Sequence, residues 1–212
     1  LQRDANRLFG FVCSNRGLVG KLDLSGCDGL DHLWCWGNYL TELDLSGKSM
    51  LEGLDCSHNM LTSLRIPAEC QELMGVVCSG NLLTELVVED YSMEYIICSD
   101  NRFTELDLSN CAVGTFECTG SPLQALHFDS CGIIVDLYSG GHGSIGAKTS
   151  TVGGYDSPEL PCVNIYAQAD EGYMLDAWYD KNGNWAYFYN ECEIYGEGLY
   201  EINLTAVFEP GE

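Results

Sequence analysis

Apolar and polar residues alternate along most of this chain, and the alternation itself repeats. Aligned on their cysteines, LDHLWCWGNYLTELDLSG, LEGLDCSHNMLTSLRIP, LMGVVCSGNLLTELVVE, MEYIICSDNRFTELDLSNC and VGTFECTGSPLQALHFDSC share the frame L-x-x-L-x-C-x-x-N-x-L-T-x-L-x-L. Cys13, Cys35, Cys56, Cys78, Cys98 and Cys118 follow one another at intervals of 22, 21, 22, 20 and 20 residues. A period of this size marks a stack of short coils, each burying its apolar side against the next. Alternation by two predicts a strand around each cysteine. The L-T-x-L-x-L side of each coil alternates in the same way, so a second short strand is expected there instead of a helix.

The period of two assigns each side chain a direction. Leu33 and Cys35 point inward, as do Leu54 and Cys56, Val76 and Cys78, Ile96 and Cys98, and Phe116 and Cys118. Coils stacked about 4.8 Å apart join these residues into buried columns, in which cysteine acts as a small hydrophobe. No disulfide is expected within the column. Cys27, Cys111 and Cys131 follow the LDLS-like segments and are expected to fill a bend, with Cys70 one residue late in its coil. Asn38, Asn59, Asn81 and Asn101 lie three residues after their cysteines. An amide carries both donors and acceptors, so a buried asparagine at a tight turn can satisfy backbone groups of successive coils. The same slot holds Arg16 in the first coil and Ser121 in the last, where terminal repeats are expected to be atypical.

With Leu33 and Cys35 inside, His32, Trp34 and Trp36 face outward. Later coils place mostly small or polar residues in these columns, but Val77, Tyr95 and Ile97 break that rule, as does Val12. Large apolar groups on the outside of a solenoid strand read as a contact surface, and aromatics suit such anchoring. The alternative is cover by a neighbouring domain, a loop or a second copy. The other outward strand carries Glu42, Asp44, Glu85, Glu105 and Asp107, a stripe expected to be solvated and not calcium-binding.

The frame resembles leucine-rich repeats, and in particular the bacterial subfamily whose coils read LxCxxNxLTxLDLSxC, found on surface and secreted proteins of gut bacteria. The resemblance covers about residues 8–131. It implies a mostly β, right-handed leucine-rich-repeat solenoid over 1–131, with an atypical first coil at about 1–30. It also implies that Asn38, Asn59, Asn81 and Asn101 form the family's asparagine ladder. Beyond Cys131 the period stops. There GGHGSIG, the block Ala167–Tyr179 and the closing LTAVF resemble the divergent internalin B-repeat (Listeria–Bacteroides repeat). That implies a small β-rich domain over 132–212, without catalysis, in which Tyr173 and Trp178 form the core. The link DSPELP is expected to be a loop. Whether Cys162 and Cys192 are bridged stays open. Joined directly at Gly132, this part is expected to cover the open end of the solenoid.

Two motifs in this region are decoys. GHGSIGAK approaches a phosphate-binding loop, but a helix must follow such a loop, and TVGGYDSPELP cannot be one. Asp180–Glu191 echoes a calcium loop, yet Trp185 stands where the turn requires glycine. Asn182-Gly183 between alternating aromatics reads as a type I′ hairpin turn.

Charge narrows the function. Nine Lys and Arg against 32 Asp and Glu give a net charge of −23, which argues against nucleic acid and anionic lipid as partners. No stretch is long and apolar enough to insert in a membrane, and the lack of a leader-like segment does not argue for the cytoplasm. His32, His58, His127 and His142 fall at different coil positions, without a nucleophile beside them or metal-ligand spacing, so neither an enzyme nor a cofactor or metal is expected. The expectation is a non-catalytic extracellular or cell-surface bacterial binding protein. It would recognise a host or envelope protein through His32, Trp34, Trp36, Val77, Tyr95 and Ile97. A glycan-binding surface protein and a structural spacer or assembly module of the envelope are the alternatives.

Overall fold

The computed structural model describes residues 10–89, 92–130, 132–152, 160–195 and 201–211; Cys131 and most of the DSPELP link lie outside them. The described chain is mostly β, with no helix, and winds into a β-solenoid of about six turns. Strands β1 (Gly10–Val12) and β2 (Val19–Leu22) belong to the first coil, and β3 (His32–Trp34) and β4 (Tyr39–Leu43) to the second. The third holds β5 (Gly53–Asp55) and β6 (Ser63–Ile66), the fourth β7 (Gly75–Val77) and β8 (Glu85–Val88). β9 (Met93–Ile97) opens the fifth, and β10 (Glu105–Leu123) runs from its far side into the sixth.

One parallel sheet stacks β1, β3, β5, β7, β9 and the 113–117 part of β10 in strict register. The middle residues Phe11, Leu33, Leu54, Val76, Ile96 and Phe116 align in one column. All but the half-buried Phe11 are fully enclosed. The column cysteines from Cys13 to Cys118 are buried and unbridged. The opposite side carries the expected short strands, as the parallel pairs β2–β4 and β6–β8.

The four asparagines run a repeated hydrogen-bond pattern. Asn59 Nδ2 donates to the carbonyls of Cys35 and Cys56, both at 3.0 Å, while its Oδ1 accepts the Leu40 N–H at 3.0 Å. Asn81 repeats this one coil later with Cys56, Cys78 and Leu61, and Asn101 with Cys78, Cys98 and Leu83. Each amide therefore ties two coils together. Ser121, in the last slot, accepts the Asn101 N–H through its hydroxyl at 3.2 Å.

Two details differ from expectation. Cys70 occupies the same bend position as Cys27, since each amide bonds a carbonyl three residues back and each carbonyl receives an amide three residues on. Lys48 takes the same position in the second coil, buried, with Nζ 3.7 Å from Asp28 and donating to the Ser46 carbonyl. The acidic stripe also has a local cause. Asp23, Asp44 and Asp107 each accept the N–H of the serine two residues on, at 2.9, 3.0 and 2.9 Å, so the D-L-S triplets are turns. Those hydrogen bonds hold all three carboxyls below their usual range.

The remaining strands extend both sides of the solenoid. β11 (Ala125–Ser130) pairs antiparallel with β12 (Ile133–Ser139). β13 (Gly143–Val152) lies antiparallel against β10, and β14 (Leu160–Ala169) against β13. β15 (Tyr173–Asp180), β16 (Trp185–Tyr187), β17 (Glu191–Tyr195) and β18 (Glu201–Pro210) complete the order, with β12–β18–β15–β16 on one side and β13–β14–β17 on the other. One buried cluster runs from Cys13 to Phe208 without a break. From Gly143 onward the GHGSIGAK decoy is thus strand β13. Trp178 is fully buried and donates to the Tyr189 carbonyl at 3.1 Å, whereas Tyr173 is half-buried and stacks on His142.

The Asn182-Gly183 hairpin forms, but not as a type I′ turn. That turn needs positive φ at both central residues, and only Gly183 has it, at 79°. Instead the Gly183 N–H bonds the Asp180 carbonyl, and the Asp180 carboxylate accepts the N–H groups of Asn182 and Asn184. An aspartate leading the turn favours this type I geometry followed by a left-handed glycine.

Candidate functional site

The register assigns the outward columns of the large sheet. One runs Gly10, His32, Gly53, Gly75, Tyr95, Thr115; the other runs Val12, Trp34, Asp55, Val77, Ile97, Glu117. Trp34 and Trp36 are each 38% exposed and Val12 is 65% exposed, while Val77 and Ile97 are half-buried. Apolar groups therefore break the polar surface of β1, β3, β7 and β9.

His32 and Tyr95 play a more local part than a contact surface requires. The Tyr95 ring lies flat over Gly75, so close that a Cβ there would sit 2.5 Å from its atoms. The His32 ring covers Gly53 in the same way, at 2.9 Å. Aromatic rings laid over a neighbouring strand's glycine seal backbone that would otherwise be bare. His32 is further held by Asp31, whose Oδ1 is 3.1 Å from Nδ1, and its ring stacks on Trp34 at 5.0 Å. These contacts leave Trp34 and Trp36 as the projecting anchors and make His32 the support of Trp34.

The buried thiols are chemically quiet. Burial pushes the Cys35 thiol up to about 12 and those of Cys70 and Cys111 to about 11. Burial also raises Cys56 well above its ordinary value, and Cys98 is raised foremost by its hydrogen bond with Cys118. A thiol that stays protonated is a poor nucleophile. Among the described residues, no three His, Cys, Asp or Glu side chains gather as metal ligands would.

Two further surface features escape a reading by repeat columns. At the sheet edge Trp185, Phe188 and Tyr189 are 63%, 57% and 75% exposed, and Trp185 stacks on Phe188 at 4.7 Å. The signal was the aromatic run after Asn182-Gly183, where Trp185 had weighed only against a calcium loop. Where the last coil meets β13 and β14 there is also a cleft of about 660 Å³. No periodicity could reveal it, because it arises where the period ends.

Comparison with protein-family models gives no match for this chain, and comparison with curated proteins gives no significant one.

Proposed function

We propose that this chain is a non-catalytic binding module of a secreted or surface-exposed bacterial protein, and that its outer parallel sheet docks a protein partner. In this reading the coils are leucine-rich repeats of the LxCxxN type and the region after Gly132 is a B-repeat-like domain. The observation that carries the reading is the pair Trp34 and Trp36, each 38% exposed on a sheet whose backs are locked in the core. Val12, Val77 and Ile97 flank the pair as aliphatic contacts. Rigid indoles on a regular sheet lose little conformational freedom on binding, which suits them to anchor an interface.

Charge describes the partner. Asp55 and Glu117 share the Trp34 column, and the whole chain carries −23. A partner with an apolar centre and a basic rim complements that surface. The raised thiols fit a non-catalytic reading, since a buried thiol that stays protonated is a poor nucleophile.

The test is capture from host mucosal lysate by the intact chain and by the double variant Trp34→Ala/Trp36→Ala. A binder loses its captured protein while its melting temperature is unchanged. Capture undiminished in the double variant overturns the reading. A lowered melting temperature or altered oligomeric state would instead favour the structural spacer.

A further inference from the structure

At the end of the solenoid the outer sheet does not stop. Strand β13 pairs antiparallel with β10, aligning Glu117 with Lys148 and Cys118 with Ala147, and the next aligned pair is Leu123 with Ile145. Five steps along β10 thus correspond to two along β13. Four residues, Thr119–Pro122, therefore face one, Gly146; they are the turn of the last coil, with Gly120 at φ +72° as Gly80 is at +67° at the same position of an earlier coil. This turn forms one wall of the 660 Å³ cleft. Gly146 lines it as well, and a Cβ there would sit 2.6 Å from the Cys118 carbonyl oxygen, so glycine lets β13 approach β10 this closely. The far wall is Tyr166 and Gln168 on β14, with Glu191 of β17 aligned opposite Tyr166.

The alternation that orients the solenoid also orients these groups. Ser144, Gly146 and Lys148 share one face of β13 and align with Gln168, Tyr166 and Asn164. Glu117 belongs to this face too, and its carboxylate lies 2.9 Å from Lys148 Nζ, so the two charges offset one another. Tyr166 stands opposite Glu191 across β14 and β17, and its ring is half-buried beside the opening. The cleft therefore presents hydroxyl, amide and carboxylate groups of both hydrogen-bonding senses around one aromatic ring, without a dominant charge.

We infer that this cleft is a saccharide-binding site, selective for neutral or amino sugars over acidic ones. Ser144, Gln168 and Glu191 meet vicinal hydroxyls, for which mixed donors and acceptors are required. The Tyr166 ring meets the apolar face of a pyranose. Glu191, added to the net charge of −23 on the whole chain, disfavours carboxylated sugars. A cavity of this size takes about two or three sugar rings. The site does not depend on protein docking at Trp34.

The test is an amide-resolved NMR titration of the whole chain with chitotriose, cellotriose and maltotriose, and with sialyllactose as the acidic control. At least one neutral or amino trisaccharide should shift Thr119, Gly146, Gln168 and Glu191 with a dissociation constant of roughly 0.1–3 mM. Tyr166→Ala should weaken that binding about tenfold or more. Gln168→Ala, at an exposed position, gives a second variant should the first fail to fold. Trp34→Ala/Trp36→Ala should leave the titration unchanged. The inference is overturned if none of the three sugars moves these signals at about 10 mM. It is equally overturned if only sialyllactose does, or if the shifts gather around Trp34.

Discussion

Replacing Asn81 by alanine tests the framework on which every surface assignment here rests. The side chain is buried and makes three bonds of 3.0 Å: it accepts the Leu61 N–H and donates to the carbonyls of Cys56 and Cys78. Alanine leaves the Leu61 donor without that acceptor, which costs about 1–3 kcal/mol, and removes two further bonds worth about 0.5–1.5 kcal/mol each. The total is roughly 2–6 kcal/mol, out of a folding stability of about 5–15 kcal/mol. For a chain of this size about 4 kcal/mol lowers the melting temperature by about 8–16 °C. Thermal unfolding followed by circular dichroism at 218 nm reads the shift. Asn110→Ala, at an exposed position, is the control and should stay within about 0.5 kcal/mol. Asn81→Asp separates hydrogen bonding from packing: it keeps the acceptor but turns a carboxylate toward two carbonyls. Its folded pKa is therefore raised above the unfolded value of about 4, and the lost stability should return in part as pH falls towards about 4 and change no further below it. A loss for Asn81→Ala below about 1 kcal/mol would refute the ladder as a source of stability.

The thiols give a pH prediction of definite sign. Cys35, Cys70 and Cys111 titrate near 12, 11 and 11 when folded, against 9.0 ordinarily, so the folded chain holds more protons above pH 9. The contribution of these thiols should be constant below that value, and stability should fall as pH rises from about 9 towards 12, as a pH series of urea midpoints would show. At pH 8 the half-buried Cys27 should react with Ellman's reagent well before the column thiols, which react only on unfolding; fast labelling of Cys35 would contradict its burial. Truncation after Ser130 removes β12 from β11 and β13 from β10, leaving Phe116 and Phe128, stacked at 4.2 Å, near an open end. That chain should self-associate or melt lower, and a monomer as stable as the whole would show that the end needs no cover.

The legible part of this fold is the part governed by local periodicity. Alternation by two placed Leu33 and Cys35 inside and both indoles outside, because a strand leaves no third choice. Asparagine three residues after each cysteine was legible as a satisfied turn, because a buried amide must be bonded. Tyr95 was legible as outward but not as a lid on Gly75, since that needs the neighbouring coil's register as well as its own sequence. The same holds for the D-L-S turns, where Asp44 was read as part of a charged stripe before its bond to Ser46 was visible. The type of the Asn182-Gly183 turn was misread because Asp180 captures the amides of Asn182 and Asn184 and so prefers another geometry.

The continuous outer sheet fixes how the two binding readings relate. From β3 to β13 the order passes through β5, β7, β9 and β10, five steps of about 4.8 Å, or about 24 Å across the face. An ordinary protein interface covers about 800 Å² on each partner, a disc of roughly 16 Å radius. A partner centred on Trp34 therefore reaches Val77 and Ile97 but ends short of Tyr166. Protein docking and sugar binding should then proceed independently on one face, with the partner leaving the trisaccharide affinity unchanged within about twofold. Strong competition between the two would mean that the partner's footprint is centred on the middle coils, and that Val77 and Ile97, not the indoles, are its anchor.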